Sequence, residues 1–187
     1  MKPEKSKGCF KMKALLSSLI LMSLFTFSVQ AETLIQAAQN GNVKSAEALL
    51  SAGADPNMVP PNHWTSLMHA TYNGHAGVVK VLLASGADVT QRNDIQAPSL
   101  MIASFRGHLD IAKMLIDYKS DVNARKSDNG TALIWAAHQG HVKIVALLLK
   151  SGAKIKLANN KGQTALIMAR KNGHADIVVM LLKAGAR

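Results

Sequence analysis

Seven histidines are the residues of this chain that most directly suggest chemistry, because imidazole ligates zinc and moves protons near neutral pH. Four of them, His75, His108, His141 and His174, recur at a fixed interval of 33 residues, and His63, His69 and His138 stand apart from that series. If the interval is one structural unit, successive members sit on helices about 8–10 Å apart, whereas zinc holds its nitrogens at about 2 Å each. The recurring four therefore cannot share an ion. The other three fall on different turns or repeats with no cysteine or adjacent carboxylate, so neither a metal nor a cofactor is expected. There is no serine-elbow phrase and no phosphate-cradling glycine loop, and the one cysteine, Cys9, lies near the N-terminus ahead of an apolar stretch. The chain is read as a non-enzyme without catalytic residues.

The elements that position these histidines follow from the same interval. Each histidine follows a glycine, in Gly74-His75, Gly107-His108, Gly140-His141 and Gly173-His174, and Gly41-Asn42 opens the series. Twelve residues downstream comes Gly53-Ala54-Asp55, Gly86-Ala87-Asp88, Lys119-Ser120-Asp121, Gly152-Ala153-Lys154 and Gly185-Ala186-Arg187. Nine residues upstream of the glycine comes Thr65-Ser66-Leu67, Pro98-Ser99-Leu100, Thr131-Ala132-Leu133 and Thr164-Ala165-Leu166, with a degenerate first copy at Glu32–Ile35. Val78, Val79, Leu82 and Leu83 form one apolar helical face with Lys80 on the other side. A threonine hydroxyl can cap the first helix, and Gly86 supplies the left-handed residue that ends the second. The unit is helix, tight turn, helix, glycine stop and extended loop. No single pair buries both its faces, so stacking is required and function belongs to a surface.

In order and period these phrases resemble the ankyrin repeat, over residues 32–187. The resemblance implies an all-α solenoid of about five helix-turn-helix repeats with β-turn loops, at roughly 32–58, 59–91, 92–124, 125–157 and 158–187, acting by protein–protein interaction. It also implies that the recurring histidines fix the turns by bonding backbone groups, in line with the need to satisfy buried backbone polar atoms. Where the family has Thr-Pro-Leu-His, this chain has Ser66, Ser99, Ala132 and Ala165 for the proline and Met68, Met101, Ile134 and Ile167 for the histidine. Looser helix starts and added apolar packing are expected there.

Residues 1–31 have the layout of a secretory signal peptide: Lys2, Lys5, Lys7, Lys11 and Lys13, an apolar stretch from Ala14 to Val29, and Val29-Gln30-Ala31 before a cut. The stretch is shorter than the roughly 20 residues of a spanning helix, which favours cleavage over a retained anchor, and Met12 is an alternative start. Resemblance to exported bacterial ankyrin proteins implies a periplasmic or secreted chain without stable membrane insertion once the leader is gone. Two further functions stay open: an accessory or protective factor for an envelope enzyme, as in oxidative-stress defence, and a secreted effector acting on a host protein.

Charge is unevenly spread. Residues 32–109 hold four Lys/Arg against five Asp/Glu, whereas residues 110–187 hold thirteen against five. The excess includes Lys154, Lys156 and Lys161, in a loop that carries aspartate in earlier copies. It can steer an acidic protein partner. Nucleic acid is not expected, since aromatic residues in the basic half are few, chiefly Trp135.

In ankyrin-like stacks the first helices and loops line a concave surface, and the residues before each glycine turn vary. Here these are Gln39-Asn40, Tyr72-Asn73, Phe105-Arg106, His138-Gln139 and Lys171-Asn172, with Gln36, His69, Ile102, Trp135 and Met168 one helical turn earlier. Tyr72, Phe105 and Trp135 fall in the three central repeats beside Arg106, a composition typical of binding hot spots. The candidate contact set is His69, Tyr72, Asn73, Phe105, Arg106, Trp135, His138, Gln139 and Lys171, flanked by the basic loop. A monomer is expected. Ile102, Trp135 and Met168 have a second reading, as packing between repeats.

Overall fold

The computed structural model describes residues 32–187; the expected leader with its cut after Ala31, Cys9 and Met12 lie outside the described residues. Among the described residues ten helices follow in pairs. They are α1 Leu34–Asn40 and α2 Val43–Ser51, α3 Ser66–Asn73 and α4 Ala76–Ala84, α5 Ser99–Arg106 and α6 Leu109–Asp117, α7 Ala132–Gln139 and α8 Val142–Lys150, α9 Ala165–Lys171 and α10 Ala175–Lys183. The first helices stack on one another, the second helices stack behind them, and each pair is joined by its glycine turn. Thr33–Arg187 forms an all-α repeat solenoid.

The first helices start more firmly than the sequence suggests. Thr33, Thr65, Thr131 and Thr164 each accept a hydrogen bond from the amide three residues on, an interaction worth about 1 kcal/mol. The degenerate first copy carries the fullest cap, since the Gln36 side chain also accepts from the Thr33 amide at 2.8 Å. The third start, at Pro98, has no side-chain cap. Its fixed φ and absent N–H suit a position where no helical donor is needed.

Replacing the family histidine by apolar residues fills the core where another repeat follows. Met68, Met101 and Ile134 are buried, but Ile167 at the same register is 45% exposed, because no repeat covers it here. Behind them Val78, Val79, Leu82 and Leu83 are buried while Lys80 is exposed, and Ile111, Leu115, Ile144, Leu148, Ile177 and Leu181 continue the same apolar face.

Second helices end at glycines of positive φ, Gly86 among them, with one exception. In the third copy Lys119 takes φ 67°, and the buried hydroxyl of Ser120 beside it finds no hydrogen-bond partner. Loops then close as short hairpins, bridged between Arg92 and Pro98 and between Ala158 and Thr164. Their tips hold His63, Gln96, Asn129 and Gly162 in left-handed conformation. Successive hairpins are laced together: Ser127 N–H donates to Ile95 O at 3.0 Å, and Asn160 N–H to Asp128 O at 2.8 Å.

Candidate functional site

The recurring histidines occupy the turns, but each holds the turn of the preceding repeat and not its own. Nε2 of His75 lies 3.0 Å from Gln39 O, that of His108 3.2 Å from Tyr72 O, that of His141 3.0 Å from Phe105 O and that of His174 3.0 Å from His138 O. A carbonyl can only accept, so each Nε2 carries the proton. Each ring lies close against the glycine one repeat upstream. A Cβ on Gly107 would stand 2.7 Å from His141, and Gly107 also has φ 86°, so backbone conformation and close approach both require glycine there. Gly173, which no following histidine covers, has nothing within 4 Å of that position.

The same carbonyls take a second donor in three repeats, and two of those donors, Asn73 and Arg106, belong to the candidate contact set. Asn73 Nδ2 donates to Gln39 O at 3.0 Å, so Asn73 is part of the staple and not an unengaged contact. Arg106 Nε donates to Tyr72 O at 3.1 Å, and Asn172 Nδ2 to His138 O at 3.1 Å. Phe105 O has only the His141 side chain. Gln139 and Lys171 are exposed at the ends of α7 and α9 and line neither hollow described below.

On the face of the first helices the structure brings Tyr72, Phe105, Arg106, Trp135 and His138 into one continuous surface. Arg106 places its guanidinium 4.4 Å from the Tyr72 ring centre. Phe105 and Trp135 meet edge to face at 5.1 Å, and His138 lies 5.8 Å from Trp135. Between the two aromatic groups runs an almost wholly apolar groove of about 230 Å³, open to solvent, with Ile102 and Met101 in its lining. Ile102 is buried and Trp135, half-buried, meets Phe105 of the repeat before it, and both side chains line the groove.

Three members of this surface are absent from the sequence-derived set. Trp64 lies on the loop before α3, 5.7 Å from Tyr72 and 5.4 Å from His69. It occupies the register filled by Ala97 and Gly130 in the next copies, and that substitution of bulk for small residues was a signal available in the sequence. Ile95 projects from a hairpin tip, 52% exposed. Lys126, whose side chain is only 11% exposed, stands 5.4 Å from the Trp135 ring centre and 2.6 Å from the Asp128 carboxylate.

The basic loop does not form one flank. Lys161 lines a second hollow with Trp135 and His138. Lys156 lines a different one with Ile155, Thr164, Ala186 and Arg187. Lys154 is exposed at the base of its loop, where its N–H donates to Asn123 Oδ1 at 2.7 Å. Lys154 and Lys156 precede the hairpin bridged at Ala158 and Thr164, whereas Lys161 stands at its tip, so nearness in sequence does not become a shared hollow.

Two groups titrate away from their ordinary values. Burial lowers the pKa of His69 and favours the neutral ring that Trp64 and Gln39 enclose. At Asp128 burial alone raises the carboxyl, but the Lys126 hydrogen bond, the Gly130 N–H and the Lys126 charge outweigh it and the net shift is downward. Among the described residues no three of His, Cys, Asp or Glu stand close enough to hold a metal, and no helix is long and apolar enough to cross a membrane.

A family model for ankyrin repeats (3 copies) matches residues 13–93 and 100–187. The chain belongs to the ankyrin repeat family. The match begins at residue 13, outside the described residues. Comparison with curated proteins gives no match. Ankyrin repeats are an interaction fold that is generally non-enzymatic, which agrees with a site built of aromatic, apolar and cationic side chains.

Proposed function

We propose that this ankyrin protein is exported to the bacterial periplasm and there binds a protein partner through the face of its first helices and hairpins. The observation that carries the reading is the open apolar groove with Tyr72 and Phe105 at its sides and Arg106 stacked on Tyr72. Aromatic and arginine side chains around an apolar depression are what interface hot spots are made of. The +8 balance of residues 110–187 favours an acidic partner by steering its approach.

Capture from envelope extract by the tagged protein tests the face. Phe105→Ala or Arg106→Ala should weaken retention of the captured partner by about 1–3 kcal/mol. Lys80→Glu and Lys113→Glu, on the exposed sides of α4 and α6, should leave it unchanged. The opposite pattern moves the binding surface to the second helices. For export, the mature N-terminus should be Glu32; intact mass of the envelope protein retaining Met1 or Met12 would overturn cleavage after Ala31.

A further inference from the structure

The apolar groove and the Lys161 hollow are the two sides of one residue, because the Trp135 indole lines both. On the groove side the walls are Trp64, Tyr72, Ile95 and Phe105, and polar surface is nearly absent. On the other side the second hollow, also about 230 Å³, is more polar than the groove although most of its surface is still apolar, and its lining includes Asp128, His138, Asn159, Asn160 and Lys161.

Charge and donor accounting gives this second hollow a definite preference. Asp128 is already engaged, with Oδ2 on Lys126 at 2.6 Å and Oδ1 accepting from Gly130 N–H at 2.8 Å. Asn159 is used inside its own hairpin, bonding Gln163 and the Lys161 N–H. Lys161 takes part in neither of the two ion pairs recorded among the described residues. Asn172 Nδ2 lies 3.1 Å from His138 O, 3.0 Å from Met168 O and 2.6 Å from His138 Nδ1, and its two hydrogens cannot serve all three. An ammonium outside any ion pair selects a carboxylate.

Resting on the proposed binding face, we infer that Trp135 divides a two-part site for one linear acidic peptide segment. An apolar side chain fills the groove, and an Asp or Glu about three residues away reaches Lys161. The spacing comes from geometry: the two hollows belong to neighbouring repeats about 8–10 Å apart, and an extended chain covers about 3.3–3.6 Å per residue. Single-stranded nucleic acid suits the site less well. Arg106 covers the Tyr72 face and Lys126 stands over Trp135, while Trp64 meets Tyr72 and Phe105 meets Trp135 edge to face, so few open ring faces remain for base stacking.

Fluorescence anisotropy with the full chain and labelled Gly/Ser nonapeptides tests this, each peptide carrying one Leu or Phe and one Asp placed one to six residues away. Binding should be tightest at a separation of about three and at least tenfold weaker when Asp becomes Asn. Lys161→Glu, at an exposed hairpin tip, should abolish the gain from Asp and create one for Lys, with an unchanged circular dichroism spectrum. Equal binding of Asp and Asn peptides, insensitivity to spacing, or tighter binding of an oligouridylate would overturn the inference. If those failures occur while Phe105→Ala still loses the envelope partner, the face stands and only its assigned chemistry fails. If acidic peptides bind and Phe105→Ala does not weaken them, both the face and the two-part site are wrong.

Discussion

The glycine–histidine turns and the first-helix face share one 33-residue register, yet the first is repeated almost unchanged and the second differs in every copy. At the turns, His75, His108, His141 and His174 make the same bond to the same kind of carbonyl one repeat upstream. On the face, the register that holds Gln39 holds Tyr72, Phe105, His138 and Lys171 in turn. The two regions meet in the same residues: Tyr72 and Phe105 offer their carbonyls to the staple and their side chains to the groove. Backbone atoms are available whatever the side chain, so the stack can keep its connection while the surface changes.

The comparison breaks most visibly at the turn glycines. Gly107→Ala should cost about 2–4 kcal/mol, combining left-handed strain with displacement of His141 from Phe105 O. Gly173→Ala meets the same strain but no histidine, and should cost only about 1–2 kcal/mol. Urea denaturation of the two variants side by side measures the difference; equal losses would mean the staple adds nothing.

A second step separates the staples themselves. His141→Ala removes the only side-chain donor on Phe105 O, whereas after His108→Ala the Tyr72 carbonyl keeps Arg106 Nε. Both should lose about 1–2 kcal/mol, with His141→Ala the larger, as read from thermal melts. Zinc should not raise the melting temperature of the wild type; a zinc-dependent rise that disappears in either variant would count against a purely structural role.

Restoring the repeated pattern where the chain departs from it should sharpen the comparison by a smaller amount. Lys119→Gly relieves a left-handed non-glycine residue, and Ser120→Ala removes a buried hydroxyl with no partner. Together they should stabilise the protein by about 1–2 kcal/mol, visible as a higher denaturation midpoint with an unchanged slope.

The smallest effect is that of pH on the face. His69 has a lowered pKa when folded, so the unfolded chain binds its proton first as pH falls through the ordinary histidine range. Its contribution is present above that range and is lost on acidification towards the folded value. His69→Gln should flatten the stability profile between about pH 7 and 5, compared with wild type by chemical denaturation. Asp128 follows the same sign at lower pH: its lowered pKa gives stability above the ordinary carboxylate range that disappears in stronger acid, and Lys126→Met should remove most of it.

The repeat fold was legible because its cues are local and recur. The Thr caps, the glycine turns and the faces of α4 and α6 can be read within a few residues of chain, and five copies corroborate one another. The aromatic register was equally legible, since Tyr72, Phe105 and Trp135 lie at or near one repeat position. The loops were not. Lys154, Lys156 and Lys161 sit within one short stretch of sequence but diverge across a hairpin whose tip turns at Gly162, φ 68°.

What the sequence determined by itself is the period, the pairing of helices, the capping residues and the need for a stack, because each depends on spacing along the chain and on side-chain type. Tertiary structure decided which groups meet: that each histidine serves the repeat before it, that Asn73 is held by Gln39, that Trp64 joins Tyr72, and that Lys126 lies against both Trp135 and Asp128. These contacts cross a repeat boundary or a hairpin, so they depend on how adjacent units are rotated and on left-handed loop tips. That geometry is set by packing many side chains together, and no single stretch of sequence contains it.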